Sequence, residues 1–153
     1  LELRTAQTTR IMPLGSFIAG PGKIRLEAGE ILTAIRVKIP AAEDLHHFEK
    51  IGQRKALACS IASLAALIRI SPAGTIEAVR LAWGSVGPTV VTSPAVEALL
   101  IGEKPSAAVF EKAAEALRRT VSPIDDLRGT ADYRRTAASN LLLRLIHAAL
   151  QRH

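Results

Sequence analysis

The sequence is poor in aromatic residues and cysteine, and it has no apolar run long enough to cross a membrane. Aromatic residues make up 3% of the 153 residues, so a packed core must be built from aliphatic side chains and alanine. Cys59 is the single cysteine, which excludes a disulfide scaffold within the chain. The charge-free stretch of the most apolar region, residues 56–68, is much shorter than the roughly 20 residues of a membrane-spanning helix. Hydrophobic residues nevertheless make up 48% of the chain, which excludes intrinsic disorder.

The formal net charge is +6, but the basic residues are scattered along the chain. No run of five like charges forms a basic tail, and few aromatic rings are available to stack on bases, so we expect no nucleic-acid partner. The positive charge is better explained as solvated surface charge, or as attraction for an acidic partner or a phosphate-bearing cofactor. The first four residues lack the basic-then-apolar order of a signal peptide, so we expect a reducing, cytoplasmic location.

Two composition regimes meet near residue 40. The first contains short strand patterns separated by glycine-rich turns, and its clearest strand pattern covers residues 31–39. One face of that strand is apolar and the other is mostly polar, yet Leu32 lies on the polar face. Leu32 is therefore either an ordinary exposed leucine or a contact to something flat and apolar.

The second regime begins with strand patterns. Residues 46–54 predict one strand, whereas residues 59–70 fit a strand or a helix equally well. The next residues form a turn motif, Ser-Pro-Ala-Gly at 71–74, and residues 75–83 alternate again. A hairpin of two antiparallel strands is the simpler interpretation of this region.

After residue 88 the pattern becomes helical. Ser93 followed by a proline predicts a short helix that ends before Gly102. Ser106 caps a second predicted helix to about residue 120, and Thr130 caps a third that extends to about Arg152. Strands followed by helices predict an α+β fold: a small antiparallel sheet of about three strands covered by three helices, preceded by a β-rich segment.

No catalytic constellation or metal site is evident in the residues alone. His46 and His47 are adjacent, so on a strand they face opposite ways and cannot share a metal ion. The glycine-rich stretches at 20–22 and 84–87 lack the G-x-G-x-x-G spacing of a phosphate loop. From residue chemistry we therefore expect an α+β domain without an active site of its own.

Four groups of residues, in order along the chain, resemble the molybdenum-hydroxylase flavoproteins. These are the medium, FAD-carrying subunits of the xanthine dehydrogenase and carbon monoxide dehydrogenase family. The resembling segments are residues 13–32 (in three short pieces), 48–58 (FEKIGQRKALA), 81–89 (LAWGSVGPT) and 122–135 (SPIDDLRGTADYRR). The resemblance covers nearly the whole chain without large gaps.

The resemblance implies both an organisation and a function. Residues 1–40 would be the C-terminal tail of a FAD-binding domain, and residues 41–153 the flavoprotein C-terminal domain. In the family, electrons pass from a molybdenum cofactor through [2Fe-2S] clusters to FAD and then to an external acceptor. The implied partners are an N-terminal FAD-binding half, an iron-sulfur subunit and a molybdopterin subunit. The two family positions that contact the flavin fall on Leu32 and Lys50, and no residue of the chain is implied to be catalytic.

The resemblance also implies what these residues do not provide. The family's glycine-rich phosphate loops would lie upstream of Leu1, so we expect a fragment or truncated chain that cannot hold FAD tightly alone. Family members that use NAD carry acidic residues near the flavin, where this sequence has residues 54–57 (RKAL) instead, which does not favour NAD. The alternative function is a non-catalytic interaction module that docks onto partner subunits.

Overall fold

The computed structural model of the chain describes residues 1–39, 45–54 and 57–150, which divide into two compact units, Leu1–Ala41 and Ala42–His153. In the described residues, no helix is long and apolar enough to span a membrane. The chain has the predicted α+β composition, with short strands first and the longer helices last.

The first unit consists of short elements. A three-stranded antiparallel sheet has the order β2 (Thr9–Ile11), β1 (Glu2–Arg4), β5 (Ile31–Ala34). One helical turn, α1 (Leu14–Phe17), leads into a hairpin of β3 (Ile18–Gly20) and β4 (Lys23–Ile24). The turn of this hairpin contains Gly22, whose φ of 65° is readily available only to glycine.

The strand predicted over residues 31–39 is shorter in the structure and has no buried face. It ends at Ala34, and the side chains of its expected apolar face are exposed: Ile31, Ile35, Val37 and Ile39. Alternation predicts that one face can be covered, but this unit supplies no second layer that covers it. The fully buried apolar residue in this sheet is Leu3, the register partner of Leu32.

The second unit is built on an antiparallel sheet of order β6 (Leu45–Gly52), β7 (Ser60–Ile70), β8 (Ile76–Gly84). The structure confirms the hairpin interpretation of residues 59–70, since β7 and β8 pair along almost their whole length. Gly74 in the turn between them has a φ of 81°, as the turn motif requires. Residues 40–44, the predicted connector to this sheet, lie outside the described residues.

Helices cover one face of this sheet. They are α2 (Pro94–Ala98), α3 (Ala107–Thr120) and α4 (Ala131–Leu150). The predicted caps form: the hydroxyls of Ser93, Ser106 and Thr130 accept hydrogen bonds from the amides of Val96, Val109 and Tyr133. Arg152, expected near the end of the last helix, lies outside the described residues.

The hydrophobic core lies between the sheet and the helices. Its aliphatic and small side chains come from alternate positions of the strands and from one face of each helix. The two aromatic residues in it, Trp83 and Phe110, are fully buried. Because all three helices lie on this side, the opposite face of the sheet remains open, and it is the candidate site.

Candidate functional site

We call the helix-free side of the second unit's sheet the open face. The register places its side chains in three cross-strand rows, since residues directly opposite each other in an antiparallel sheet share a face. The rows are His46–Leu67–Arg80, Phe48–Ala65–Ala82 and Lys50–Ser63–Gly84. The neighbouring positions along each strand, including Leu64, Leu81 and Trp83, point into the core.

The middle row forms a flat apolar floor. Ala65 and Ala82 are too small to rise above the strands, whereas Phe48 on the edge strand β6 stands 69% exposed. A cavity of about 830 Å³ opens over this row, and Leu67, Thr92 and Pro94 also line it. Such a volume is typical of small-molecule sites. The open face can therefore accept a planar apolar group against its alanines.

The β8 side of the cavity is fixed by Glu97. One carboxylate oxygen of this buried residue accepts the amide hydrogen of Leu81 at 2.8 Å, and the other lies 3.3 Å from the Arg80 guanidinium. Residue 91 pairs with Trp83 through two backbone hydrogen bonds, 2.8 and 2.9 Å long. The outer edge of β8 is therefore occupied, and Arg80 already has an anionic partner.

Lys50 lies at the β6 end of the third row, within the second unit. Its ammonium donates a hydrogen bond to the carbonyl oxygen of Ala58 at 3.1 Å. The chain folds back closely here, since a Cβ on Gly52 would lie 2.7 Å from that of Ala58. Lys50 thus has a fixed direction and retains N–H groups that can bind a ligand.

The described part of the loop after Lys50 carries a strained residue. Leu57 has a φ of 51°, which is unfavourable for a bulky side chain, and its side chain is 91% exposed. The Arg54 guanidinium donates to the Leu57 carbonyl from two nitrogen atoms, at 2.7 and 3.3 Å. Residues 55 and 56, which belong to the RKAL segment at 54–57, lie outside the described residues.

Leu32, the other expected contact residue, belongs to the first unit. It lies in β5 opposite Leu3 and is 43% exposed. Its side chain is thus accessible to a partner that the first unit does not supply. Leu32 and Lys50 belong to separate compact units.

The turn before α4 lies near Ile61 of β7. A Cβ on Gly129 in this turn would lie 3.4 Å from the Tyr133 ring and 3.8 Å from the Ile61 side chain. Below the turn, the buried Arg134 guanidinium donates to the Ser85 carbonyl at 3.0 Å and to the Asp126 carboxylate. Arg134 lowers the pKa of Asp126, and a hydrogen bond from the Arg128 amide contributes to the same shift.

This network and the small residues of the open face were not identified from the sequence as site features. The sequence does contain a sign of the small residues: on β8, the positions that alternate with Val79, Leu81 and Trp83 carry small residues at 78, 82 and 84. In the described residues, no group of three or more His, Cys, Asp or Glu side chains could hold a metal ion.

Comparison with known proteins gives a consistent result. The profile of the CO dehydrogenase flavoprotein C-terminal domain matches residues 47–149. The chain is 30% identical over 143 residues to the carbon monoxide dehydrogenase medium chain of Hydrogenophaga pseudoflava, covering 94% of this chain and 49% of the relative. It is 27% identical over 152 residues to the xanthine dehydrogenase FAD-binding subunit of Escherichia coli O157:H7, covering 98% and 51%.

Solved structures agree with these matches. Carbon monoxide dehydrogenase from Hydrogenophaga pseudoflava, in a form lacking the Mo-pyranopterin moiety of the molybdenum cofactor, aligns with a TM-score of 0.89 and 32% identity over 99% of this chain. Quinoline 2-oxidoreductase from Pseudomonas putida 86 aligns with a TM-score of 0.85 and 26% identity over 98% of it. These alignments cover 52% and 51% of the solved chains, so the chain spans about half the length of the relatives it matches.

Proposed function

Because the chain belongs to the CO dehydrogenase flavoprotein C-terminal domain family, we propose that it is the C-terminal part of the FAD-carrying subunit of a molybdenum-containing hydroxylase. Its match to a curated FAD-binding subunit confirms the family resemblance drawn from the sequence. In this proposal residues 1–40 are the tail of the FAD-binding domain, residues 41–153 are the domain that borders the flavin, and the complex is cytoplasmic.

The observation that carries the proposal is the composition of the open face. Lys50, whose ammonium is held by the Ala58 carbonyl, lies two positions along β6 from Phe48, in the row next to the alanine floor. This donor set fits one edge of an isoalloxazine ring. Leu32, which is exposed in its own unit, is proposed separately as an apolar contact of the flavin. Bound FAD would supply the electron-transfer chemistry, and a positive charge near the ring stabilises its reduced, anionic form.

The described residues offer no comparable site for the pyrophosphate of FAD. A phosphate site needs successive backbone N–H groups or a helix N-terminus beside a glycine-rich loop. Of the two glycine-rich stretches, 20–22 form a hairpin turn and 84–87 lead into a series of bends rather than a helix. The described residues therefore fit the ring of FAD rather than its phosphates, and the phosphates would be held by the N-terminal half of the subunit.

The remaining steps of the proposed electron path lie outside this chain. Electrons would leave the substrate at a molybdenum cofactor in a molybdopterin subunit, pass through [2Fe-2S] clusters in an iron-sulfur subunit and reach FAD beside Lys50. The positive residues at 54 and 55 do not favour NAD as the acceptor.

Replacement of Lys50 tests the proposal in the complete polypeptide encoded by the reading frame that contains this sequence. Lys50→Met removes the charge at similar length, so the bound flavin should become harder to reduce. The measurement is the midpoint potential of the flavin, with Lys23→Met as a control in the first unit's hairpin. An unchanged flavin potential and spectrum in Lys50→Met would contradict the assignment of Lys50.

A titration of this 153-residue chain with FAD tests the division of binding between the halves. Because the described residues offer no phosphate site, we expect affinity weaker than micromolar, read from flavin fluorescence. Submicromolar binding by this chain alone would contradict the proposed division.

A second candidate function, docking onto partner subunits, is favoured by the turn before α4. Ile124 and Leu127 are exposed there, although Asp126 and Arg134 hold the turn rigidly. A rigid apolar projection loses little entropy when it is buried by a partner. Leu127→Asp should weaken retention of partner subunits during purification, whereas the equally exposed Leu57→Asp should not. Equal retention by both variants would argue against docking at this turn.

A further inference from the structure

The row Lys50–Ser63–Gly84 has a second polar group, the hydroxyl of Ser63. Ser63 is the register partner of Lys50 on one side and of Gly84 on the other. Directly opposed residues of antiparallel strands have Cβ atoms about 4.5–5.5 Å apart and point to the same side of the sheet. The Ser63 and Lys50 side chains therefore leave the sheet on the same side, that of the open face.

Ser63 is half-buried, and its hydroxyl has no hydrogen-bond partner in the part of the chain that the structure describes. A hydroxyl on the central strand of a sheet commonly bonds to a neighbouring side chain, but Gly84 offers none and Lys50 is directed to Ala58. Ser63 thus retains its full capacity to donate and accept hydrogen bonds toward a ligand.

Gly84 makes room for this hydroxyl. A Cβ on Gly84 would lie 2.5 Å from the Ser63 oxygen, so any larger residue at 84 would displace it. The conformation of Gly84 does not itself require glycine, since its φ is not positive. The glycine is therefore explained by the space that the hydroxyl occupies.

The side chains on either side of this row restrict the shape of a ligand group that could reach the Ser63 hydroxyl. On one side of the row lie Phe48 and the alanine floor. On the other side lies Ile61, buried near Gly129 of the turn before α4. A planar ring resting on the small residues would place one edge over the row, within reach of two donors on adjacent strands.

We propose that Ser63 is a second polar contact for the flavin ring, donating a hydrogen bond to a ring carbonyl oxygen beside Lys50, and that Gly84 is a positioning residue for that hydroxyl. This inference rests on the proposed function, because it assumes that the ring lies on the open face. A donor at a carbonyl oxygen stabilises the reduced, anionic ring more than the oxidised ring, because the reduced ring carries more charge on its oxygens.

The test uses the complete flavoprotein with Ser63→Ala, and Ser60→Ala is the matched control. Ser60 lies on the same strand, but its hydroxyl is buried and has no partner in the described structure. Loss of one such hydrogen bond should lower the ratio of reduced to oxidised FAD affinity by about three- to tenfold. The ratio is read from the flavin midpoint potential together with the dissociation constant of oxidised FAD. Ser60→Ala should leave the ratio unchanged.

Two further variants separate the hydroxyl from general packing. Ser63→Thr keeps a hydroxyl and should restore much of the ratio. Gly84→Ala keeps Ser63 but displaces its oxygen, so it should lower the ratio in the same direction. If Gly84→Ala fails to fold, the Ser63 variants decide the outcome. Equal ratios in Ser63→Ala and the wild type would overturn the inference.

Lys50→Met, measured in parallel, distinguishes failure of this inference from failure of the proposed function. A lower ratio in Lys50→Met with no change in Ser63→Ala overturns the contact at Ser63 and leaves the proposed function standing. No change in either variant overturns both. A lower ratio in Ser63→Ala alone supports the ring's position on the open face and overturns the role given to Lys50.

Discussion

The second unit buries most of its large aliphatic side chains between a sheet and three helices, whereas the first unit leaves most of its own exposed. In the described part of the first unit, residues 1–39, the buried apolar side chains are Leu3 and Phe17, while nine large apolar residues are exposed. The exposed set is Ile11, Leu14, Ile24, Leu26, Ile31, Leu32, Ile35, Val37 and Ile39. The fraction of surface that a chain can bury falls with its size, so a short segment builds little core alone.

Polar contacts compensate for part of this deficit. The Arg10 guanidinium contacts both carboxylate oxygens of Glu30, at 2.6 and 2.7 Å, and also donates to the Arg25 carbonyl. The Glu30 side chain is only 4% exposed, and its second oxygen also accepts the Glu27 amide hydrogen. One bidentate ion pair thus connects β2 to the segment before β5. Exposed apolar faces joined by a polar network are typical of one part of a larger domain, which supports the proposed assignment of residues 1–40.

The largest expected effect comes from the core of the second unit. Phe110→Ala should lower the free energy of unfolding by about 3–5 kcal/mol, because it removes a fully buried ring and leaves a cavity. Chemical denaturation followed by the fluorescence of Trp83 measures this. Phe48→Ala is the matched control and should change stability by about 0.5 kcal/mol or less, since the ring lies on the open face. Similar losses in both variants would contradict the division of the sheet into a core face and an open face.

An intermediate effect is expected at Arg134, the main buried charge of the second unit's described part. Arg134→Met should cost about 2 kcal/mol, because the Ser85 carbonyl loses a charged donor. The pKa of Asp126 should rise toward its ordinary value, since Arg134 is the main cause of its lowering. Denaturation and an NMR titration of the Asp126 carboxyl measure the two effects. If Asp126 titrates as in the wild type, the network does not operate as described.

The smallest effect on stability at neutral pH is expected at Glu30. Its titration should act on the first unit, to which Glu30 belongs. Hydrogen bonds from Arg10 and from the Glu27 amide lower the pKa of Glu30 to about 2, from an ordinary value of 4.5. A lowered carboxyl pKa stabilises the folded form above the ordinary value, and that contribution is lost as pH falls through the folded value. Protection of first-unit amides from hydrogen exchange should therefore be constant above about pH 5 and decline between about pH 4.5 and 2.

Glu30→Gln is the control for this titration, because it cannot change its charge. The variant should show weaker amide protection in the first unit at neutral pH and a flatter dependence on acid. A decline of equal steepness in the variant would show that another group controls the acid response.

The sequence alone predicted those features that depend on local chemistry. The three helix caps, Ser93, Ser106 and Thr130, form because a short side-chain oxygen satisfies an amide of the first turn wherever such a helix begins. The hairpin of β7 and β8 followed from its turn and from alternation on both sides. The strand predicted over residues 31–39 is longer than the strand in the structure, which ends at Ala34. Alternation does not show whether a second layer exists to cover the apolar face.

The site could be predicted only in part. The resemblance singled out Lys50 and Leu32, and both remain proposals for the flavin contact. The row of Lys50, Ser63 and Gly84 could not be read from the chain, because these residues come from three strands and meet only through the register. Arg134 stands 49 positions from Ser85, so its bond to that carbonyl had no local sign.

The sequence by itself therefore determined the element types, the turns, the aliphatic character of the core and the family, because these depend on side-chain chemistry at short spacing. The tertiary structure decided which face of the sheet stays open, since all three helices pack on the same side. It also decided which small residues lie together on that face, and that the first unit lacks a core. These properties arise from contacts between distant segments, which spacing along the chain does not encode.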